Sequence, residues 1–431
     1  MTEEAGTRRR GGATAAGHTR RHALALMGTT AAAGLTAAAS ARAADAQGGR
    51  RWVTTWSTAM TPPSLGMGTN WSQEGFAGHS VRQLARVSLG GRTFRARLSH
   101  HFGTRPLRLA GATVALSAGG AELRPETVRR LTFDGASSVT VAPGGTLASD
   151  AVHLKVAAHE RVAVTLYFEH PTGPVTFHPW AGGTSHRASG DHRDDTGGAA
   201  FTETTGSTYC LAAIDVAAPA RQYTVMCFGD SLTDGYGSAP DRDERYPDTL
   251  SELLAAQGTP HAVANTGISG NRLLNDTFCL GDKATRRFRR DALTQPGVRK
   301  LVVQLGGNDI TVHSNHPCFG DTPEVTPEEL AAGHRELLRQ AEEFGLPVIG
   351  ITKPPYGSAP NYKEHHDKIR MGLNAWMRQE SRYAAVIDSD RLLGDPTDPV
   401  RLDPRFDSGD GVHPNGAGYA VMAAAVARHL R

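Results

Sequence analysis

The hydrophobic pattern of this 431-residue chain changes near residue 220, and that change constrains the fold more than any other feature. Between about residues 50 and 218, short apolar runs are separated by Gly, Pro and Asp, and several alternate polar with apolar residues, as at 93–98 and 161–168. Such alternation places one side of a strand in a core and the other toward solvent. Short strands at this spacing, without helical periodicity, predict a β-sandwich or jelly-roll-like domain.

After residue 219 the pattern becomes strand followed by helix, repeated along the chain. Apolar strand candidates lie at 223–228, 300–305 and 347–352, and helical spacing is found at 327–344 and 362–381. Alternating strands and helices predict a parallel sheet covered by helices. In such sheets the functional site lies beyond the carboxyl ends of the strands, so the residues that follow each strand are the candidates for chemistry.

The beginning of the chain has the composition of an export signal. Arginine clusters at 8–10 and 20–21 precede an uncharged stretch from 23 to 41, and residues 41–43 form an Ala-Arg-Ala cleavage site. The second cluster fits a twin-arginine signal. A membrane anchor is the alternative, which the small residues and the cleavage site disfavour. We therefore predict a secreted protein without stable membrane insertion. Its predicted parts are a twin-arginine-type signal peptide at 1–43, a β-sandwich-like domain at 44–218 and an α/β domain at 219–431.

Charge and cysteine content narrow the functional classes. The chain has 46 Lys and Arg against 43 Asp and Glu, and the formal excess of +3 is concentrated in the arginine-rich leader. A nearly neutral body lacks the basic surface that nucleic-acid binding requires, so we expect no nucleic-acid partner. Four cysteines in this length do not build a disulfide scaffold. Nothing in the pattern specifies an oligomeric state.

A serine directly follows the first predicted strand of the second half, in the sequence Gly-Asp-Ser-Leu at 229–232. On a tight turn between strand and helix, such a serine presents its hydroxyl at the sheet edge, near the amides that begin the helix. Taken alone, this short motif is also typical of an ordinary helix cap. Three further polar blocks lie at predicted element ends, at 265–271, 305–309 and 410–415.

Together the four blocks resemble the SGNH/GDSL hydrolase family, over roughly the second half of the chain. The resemblance implies a flavodoxin-like three-layer hydrolase domain with a parallel sheet. It implies Ser231 as the nucleophile, His413 as the general base and Asp410 as the carboxylate that orients His413. It also implies Gly270 and Asn308 as oxyanion-hole donors beside the Ser231 backbone amide.

The residue types suit this chemistry independently of the resemblance. A serine hydroxyl needs a base to take its proton, and an imidazole suits that task because it titrates near neutral pH. An aspartate three residues before the histidine, across a turn, reaches the other ring nitrogen and selects the tautomer. A glycine N–H and an Asn amide are uncharged donors for an oxyanion. We expect a carboxylic ester hydrolase that uses no cofactor and no metal.

A second resemblance concerns the N-terminal half. Residues 52–190, including Trp56 and the stretches 88–91 and 97–99, resemble the N-terminal region of a secreted actinobacterial branch of that family. The branch is described as lipase/acylhydrolase or grouped with carbohydrate esterases. The favoured substrate is a short acyl ester, acetyl above all, on a carbohydrate or glycosylated metabolite. The alternatives are a lipase or lysophospholipase and, outside enzymes, a glycan-binding protein.

The cysteine positions allow a pairing prediction. Cys279 lies shortly after the block at 265–271, and Cys318 lies shortly after the block at 305–309. Both follow strands whose ends should meet at the active-site rim, so we predict a Cys279–Cys318 disulfide. Cys227, in an apolar strand, and Cys210 are predicted to be free thiols. A Cys210–Cys227 bridge is the alternative.

Other polar clusters are interpreted as structural. The histidine pairs at 100–101 and 365–366 are expected to be surface or structural residues, because neighbours on a strand point to opposite faces and do not chelate a metal together. The arginine-rich run at 286–290 is interpreted as a solvated helix face, with a contact to an acidic substrate as the alternative. Residues 178–183 are predicted to form a long loop able to cover the active site.

Overall fold

The N-terminal part of the chain is built from short antiparallel strands. A computed structural model of the protein describes residues 49–311, 318 and 322–430, so the predicted signal peptide lies outside the described residues. The strands of this part are β1 (Arg50–Ser57), β2 (His79–Arg86), β3 (Gly91–Ser99), β4 (Leu107–Leu109), β5 (Gly111–Gly119), β6 (Glu122–Leu123), β7 (Arg129–Leu131), β8 (Val139–Val141), β9 (Thr146–Ala148), β10 (Val152–Val156), β11 (Arg161–Phe168), β12 (Phe177–His178), β13 (Ser185–Ser189), β14 (Glu203–Thr205), β15 (Thr208–Tyr209) and β16 (Leu211–Pro219).

Most of these strands belong to two antiparallel sheets. One has the order β1-β16-β3-β10 with β9 on β3, and the other has the order β14-β13-β2-β11-β5-β6 with β7 on β5. The apolar side chains of both sheets join one hydrophobic cluster, to which Val53 and Phe94 contribute from the first sheet and Val81 and Val164 from the second. The two sheets therefore pack over a shared core, as the alternating pattern predicted.

The C-terminal part contains the parallel sheet that the repeated pattern predicted. Its strands are β17 (Thr224–Gly229), β18 (Ala262–Gly267), β19 (Val298–Gln304), β20 (Val348–Ile351) and β21 (Ala385–Ile387). Their order is β18-β17-β19-β20-β21, which is the order 2-1-3-4-5 of flavodoxin-like sheets. The helices are α1 (Ser231–Asp234), α2 (Tyr246–Ala256), α3 (Ala284–Phe288), α4 (Gly307–Thr311), α5 (Pro327–Glu343), α6 (Glu364–Gln379), α7 (Ser389–Leu393) and α8 (Gly416–Ala427), with a π-helical turn at Arg289–Leu293.

Alternate residues of β17 enter two different cores, one on each face of the sheet. Met226 and Phe228 pack in a cluster that includes Trp376 of α6. Val225 and Cys227 pack in another cluster, which includes Met422 of α8. A strand covered on both faces needs apolar side chains at every position, which explains its continuous hydrophobic run.

The helix boundaries follow local sequence signals. Pro327 occupies the first turn of α5, and Thr326 and Glu329 form a capping box at its start. The predicted helix at 327–344 is thus confirmed to within one residue.

Among the described residues, we found no helix with the length and apolar character required to span a bilayer.

Strand β1 joins the two parts of the protein. Its Thr54 amide donates to Thr224 Oγ1 at 2.9 Å, and Ser57 Oγ donates to the Asn265 carbonyl at 3.0 Å. Consistent with these contacts, Arg50–Arg431 forms one compact unit. The change from antiparallel to parallel sheet occurs between β16 and β17. The domain boundary at 218/219 stays a prediction.

Candidate active site

Ser231 lies at the turn between β17 and α1. Asp230 caps this helix, because its Oδ1 accepts a hydrogen bond from the Leu232 amide at 3.1 Å. The turn is tight enough to exclude a side chain at Gly229, where a Cβ would lie 2.1 Å from Thr233 Oγ1. The serine is 8% exposed, and it is one of the residues that line a pocket.

Three side chains form a continuous hydrogen-bonded chain. His413 Nε2 lies 2.8 Å from Ser231 Oγ, and His413 Nδ1 lies 2.6 Å from Asp410 Oδ2. A carboxylate accepts, so Nδ1 carries the proton and Nε2 is the acceptor for the serine hydroxyl. The turn that precedes α8 brings Asp410 and His413 to this position, although His413 lies 182 residues from the serine in the chain. The geometry allows proton transfer from the serine hydroxyl to the ring.

The carboxylate of Asp410 is held in its charged form. Burial disfavours this charge, but hydrogen bonds from the His413 ring, the His413 amide and the Val412 amide outweigh burial and hold the pKa of Asp410 well below its usual range. Asp410 therefore remains an acceptor that selects the His413 tautomer throughout the ordinary pH range.

The two other blocks named in the sequence lie at neighbouring strand ends. Gly270 follows β18 in a left-handed conformation, with φ of 77°, which favours glycine. Asn308, in α4 after β19, donates from Nδ2 to the Asn271 carbonyl at 3.0 Å. An Asn amide nitrogen carries two hydrogens, and this contact uses one of them. Asn308, Ser231 and His413 line the same pocket.

Sequence reasoning missed the lysine that supports the serine turn. Lys353, which follows β20, donates from Nζ to Asp230 Oδ2 at 2.6 Å, and both side chains are at most 5% exposed. The contact requires Gly307, because a Cβ there would lie 2.9 Å from Lys353 Cε. The ion pair fixes the carboxylate that caps α1, and so it holds the backbone of Ser231. The sequence around Lys353 does not indicate that its partner is Asp230, because the two residues are 123 positions apart in the chain.

Asp234, at the end of α1, holds the segment that carries Gly270. Its Oδ2 accepts hydrogen bonds from the Ser269 amide at 2.9 Å and the Ser269 hydroxyl at 2.7 Å. Its Oδ1 lies 3.1 Å from Nε2 of His178, which belongs to β12 of the antiparallel part. The antiparallel part thus contacts the site from outside the parallel sheet.

The segment at 178–183 differs from the predicted long loop, because His178 ends β12 and none of these residues lines the pocket that contains Ser231. The segment approaches the site through Trp180. The Trp180 ring is 5.7 Å from the Tyr236 ring, and the Tyr236 ring is 4.8 Å from the His413 ring. Both aromatic side chains are partly exposed. They form an aromatic row that leads from the His413 ring to the surface.

The interpretation of the arginine-rich run at 286–290 as a solvated face is wrong for Arg287. Arg287 is fully buried, and its guanidinium donates to the carbonyls of Gly229 and Thr266, each at 2.8 Å, and to Asn271 Oδ1 at 2.9 Å. These acceptors lie at the ends of β17 and β18 and in the adjoining loop. Arg287 therefore ties the serine turn to the loop that carries Gly270.

The predicted Cys279–Cys318 disulfide is confirmed. It packs in a small cluster with Ile268 and with Ala59 of the antiparallel part. Cys210 and Cys227 are both free and buried, as predicted, and burial raises the pKa of each thiol to about 12. The alternative Cys210–Cys227 bridge is excluded.

A pocket of about 200 Å³ opens beside Ser231 and His413. Its other lining residues include Leu232, Ile310, Pro354, Tyr356, Asn361 and Val412. A larger cleft, of about 360 Å³, has Arg97 and Arg290 in its lining. It is lined by none of Ser231, His413 and Asp410. The smaller pocket is therefore the candidate substrate site.

The parallel sheet with a Ser-His-Asp chain at the carboxyl ends of its strands defines an α/β protein of the hydrolase type. Residues 227–421 match the model of the GDSL-like Lipase/Acylhydrolase family. The C-terminal part of this chain belongs to the SGNH/GDSL hydrolase family.

Known proteins with similarity to the chain include esterases. An acetylxylan esterase of Xylanibacter ruminicola is 27% identical over 223 residues, which cover 48% of this chain and 43% of that protein. The chain thus spans less than half the length of this relative. A carbohydrate acetylesterase family member from Sinorhizobium meliloti is 18% identical over 49% of this chain and 98% of its own, with a TM-score of 0.38. A GDSL-like lipase from Bacteroides thetaiotaomicron is 19% identical over 48% and 87%, with a TM-score of 0.36.

Proposed function

We propose that the protein hydrolyses carboxylic esters through an acyl-enzyme formed on Ser231. The observation that carries the proposal is the hydrogen-bonded chain from Asp410 through His413 to Ser231, at 2.6 and 2.8 Å. A serine nucleophile, a base within hydrogen-bond reach and a group that orients the base are the three parts that nucleophilic acyl transfer needs.

In the acylation step Ser231 Oγ attacks the ester carbonyl carbon while His413 Nε2 takes the hydroxyl proton. The carbonyl oxygen becomes an oxyanion, for which the Ser231 and Gly270 backbone N–H groups and the Asn308 amide are the proposed donors. The tetrahedral intermediate then breaks its bond to the alcohol oxygen, which receives the proton from His413. The products are the free alcohol and an ester of Ser231.

Deacylation repeats the same steps with water. His413 Nε2 takes a proton from a water molecule, whose oxygen attacks the acyl carbon of the serine ester. Collapse of the second tetrahedral intermediate returns the proton to Ser231 Oγ and releases the carboxylic acid. Asp410 stays ionised throughout and stabilises the imidazolium that forms in each half-reaction.

The favoured substrate is a short acyl ester, acetyl above all, on a carbohydrate or glycosylated metabolite. The pocket of about 200 Å³ supports a small acyl group, since pockets for drug-sized ligands measure about 300–1,000 Å³. The similarity to an acetylxylan esterase supports a carbohydrate alcohol. The partly exposed Trp180 and Tyr236 rings beside His413 also suit the flat face of a sugar ring.

Export is part of the same proposal. A Cys279–Cys318 disulfide suits an oxidising compartment, which supports the predicted signal peptide and secretion. We propose the twin-arginine route for it. Replacing Arg20 and Arg21 by lysine should keep the protein inside the cell, and N-terminal sequencing of the secreted protein should begin at Ala44. Unchanged secretion of the double variant would contradict this route.

The mechanism is tested by replacing the nucleophile. Ser231→Ala should remove nearly all ester hydrolysis while the circular dichroism spectrum and melting temperature stay close to those of the parent. A serine-reactive phosphonate should label Ser231, as located by peptide mass spectrometry. Ser381→Ala is the matched control, because its hydroxyl bonds the Met377 carbonyl at the end of α6. Substantial hydrolysis by folded Ser231→Ala protein would exclude the mechanism.

The substrate class is tested separately. A series of p-nitrophenyl esters should give kcat/KM that falls steeply beyond the shortest acyl chains, whereas a maximum at long chains would favour the lipase alternative. Acetate release from acetylated xylan then tests the carbohydrate alcohol. Retained binding to the polysaccharide with no hydrolysis of any ester would favour a glycan-binding protein.

A further inference from the structure

Three metal-ligating side chains meet outside the proposed active site. Glu324, His365 and His366 each offer one ligand atom, and these atoms lie within 4.8 Å of one another. Glu324 precedes α5, and the two histidines lie in the first turn of α6. None of the three belongs to the Asp410–His413–Ser231 chain, and the esterase proposal does not use them.

The expectation that neighbouring histidines point apart is wrong for this pair. That expectation holds on a strand, but residues 365 and 366 lie on a helix, where successive side chains diverge by only about 100°. Their rings are 4.2 Å apart, and both Nε2 atoms approach the same carboxylate oxygen. Two adjacent histidines in the first turn of a helix can therefore both contact one carboxylate oxygen that belongs to another segment.

The distances between the ligand atoms suit a tetrahedral ion. Glu324 Oε1 lies 3.1 Å from His365 Nε2 and 3.5 Å from His366 Nε2. Ligands about 2.0–2.2 Å from a tetrahedral zinc ion lie about 3.3–3.6 Å from one another. The carboxylate oxygen and each ring nitrogen thus already stand close to the edge length of a zinc tetrahedron.

Burial and ligand type agree with this geometry. His366 is buried, whereas Glu324 and His365 are 57% and 52% exposed on their side chains. One side of the cluster is thus held by the protein, and the other is open to water. Two imidazoles and a carboxylate suit zinc better than magnesium or calcium, which prefer oxygen ligands.

We propose that Glu324, His365 and His366 bind one Zn²⁺ ion, with water as the fourth ligand. The ion joins the segment before α5 to the first turn of α6. The next turn of α6 carries Arg370, which lines the substrate pocket and donates to the Lys353 carbonyl at 3.1 Å. The role assigned to zinc is structural, because it secures the helix that supports Lys353 and its ion pair with Asp230.

The test uses untagged, secreted protein from which metal has been removed with a chelator. Zinc is titrated in competition with a chromophoric chelator, and melting is followed with and without zinc. We expect one zinc per chain and a melting temperature that rises with zinc concentration. Co²⁺ in place of zinc should give the visible absorption of a four-coordinate complex.

Two substitutions and a matched control assign the site. His365→Gln and Glu324→Gln change exposed side chains, so both variants should fold. Removal of a residue that only hydrogen-bonds to a metal ligand weakens metal binding by about 10–100-fold. Each variant here removes a ligand itself, so each should bind zinc at least about 100-fold more weakly. His170→Gln is the control. The His170 side chain is exposed and its Nε2 lies 3.6 Å from Glu169 Oε2, so this pair has one histidine and one carboxylate where the proposed site has two histidines.

Two results would overturn the proposal. One is that the parent protein binds no zinc. The other is that His365→Gln and Glu324→Gln bind zinc as tightly as the parent and the His170→Gln control. In either case the contacts of Glu324 with the two rings are ordinary hydrogen bonds.

Discussion

His178 Nε2 lies 3.1 Å from Oδ1 of Asp234, and this pair joins the antiparallel part to the helix that begins with Ser231. Both side chains are at most 3% exposed. His178 Nδ1 is 2.7 Å from the Ala59 carbonyl, and Nε2 is also 2.7 Å from the Trp180 carbonyl. Both ring nitrogens of His178 thus lie within hydrogen-bond distance of oxygen atoms from three different residues. These contacts hold the buried Asp234 carboxylate against the antiparallel part.

Replacing His178 by glutamine should destabilise the protein, because the buried Asp234 Oδ1 loses its contact with the ring while Oδ2 keeps its bonds from Ser269. Loss of a partner by a buried polar group costs about 1–3 kcal/mol, which urea unfolding measures. The folded fraction should also lose kcat, since Asp234 positions Ser269 and the adjoining Gly270.

The pair of His192 and Asp195, at 2.7 Å and with side chains 29% and 51% exposed, is the control for this substitution. His192→Gln should change the unfolding free energy by at most about 1 kcal/mol, because exposed pairs contribute little. Equal effects of the His178 and His192 variants would contradict the role assigned to the buried pair.

Asn308→Ala should lower kcat by roughly 10²–10³ while KM changes much less. The side-chain donor acts on charge that develops only in the transition state, so its loss affects kcat. Asn308→Asp should lose at least as much, since a carboxylate repels the oxyanion. Steady-state kinetics under conditions where chemistry limits the rate make the comparison. Unchanged kcat in Asn308→Ala would remove this residue from the oxyanion hole.

Activity should rise with pH through a single ionisation on the acidic side. The reaction needs a neutral His413 ring, and a protonated ring cannot take the serine proton. Hydrogen bonding holds the pKa of Asp410 well below its usual range, so Asp410 keeps its charge throughout the interval in which activity is measured. Measured kcat/KM should show this rise between about pH 5 and 8, and Asp410→Asn should lower the rate. A flat profile in that interval would exclude a histidine base.

Reduction of the Cys279–Cys318 bond should lower the free energy of unfolding. The bond closes a loop of 39 residues, and the chain-entropy model assigns such a loop about 4 kcal/mol. Melting with and without reductant measures the loss, and the Cys279→Ser/Cys318→Ser double variant should not respond to reductant. Cys210 and Cys227 should resist alkylation in the folded protein, because burial raises the pKa of each thiol to about 12. Alkylation of Cys279 and Cys318 without reductant would contradict the prediction.

Most of the fold was predictable because its signals are local. The two-residue period of the first half and the strand–helix alternation of the second indicated the two kinds of sheet. The resemblance of four sequence blocks to the SGNH/GDSL family named Ser231, His413 and Asp410, and the structure joins these three side chains by hydrogen bonds. The burial of Arg287 was not predictable, since four arginines in five residues are typical of a solvated helix face.

By itself, the amino-acid sequence determined the order in which strands and helices follow one another, and its resemblance to a known family named the residues that we propose for the chemistry. Only the tertiary structure decided which distant side chains meet. Lys353 pairs with Asp230 across 123 residues, and His178 meets Asp234 across 56. Glu324 approaches the histidine pair of α6 from another segment. The physical reason is that a hydrophobic period depends on neighbours in the chain, whereas the partner of a buried charge depends on how the elements pack.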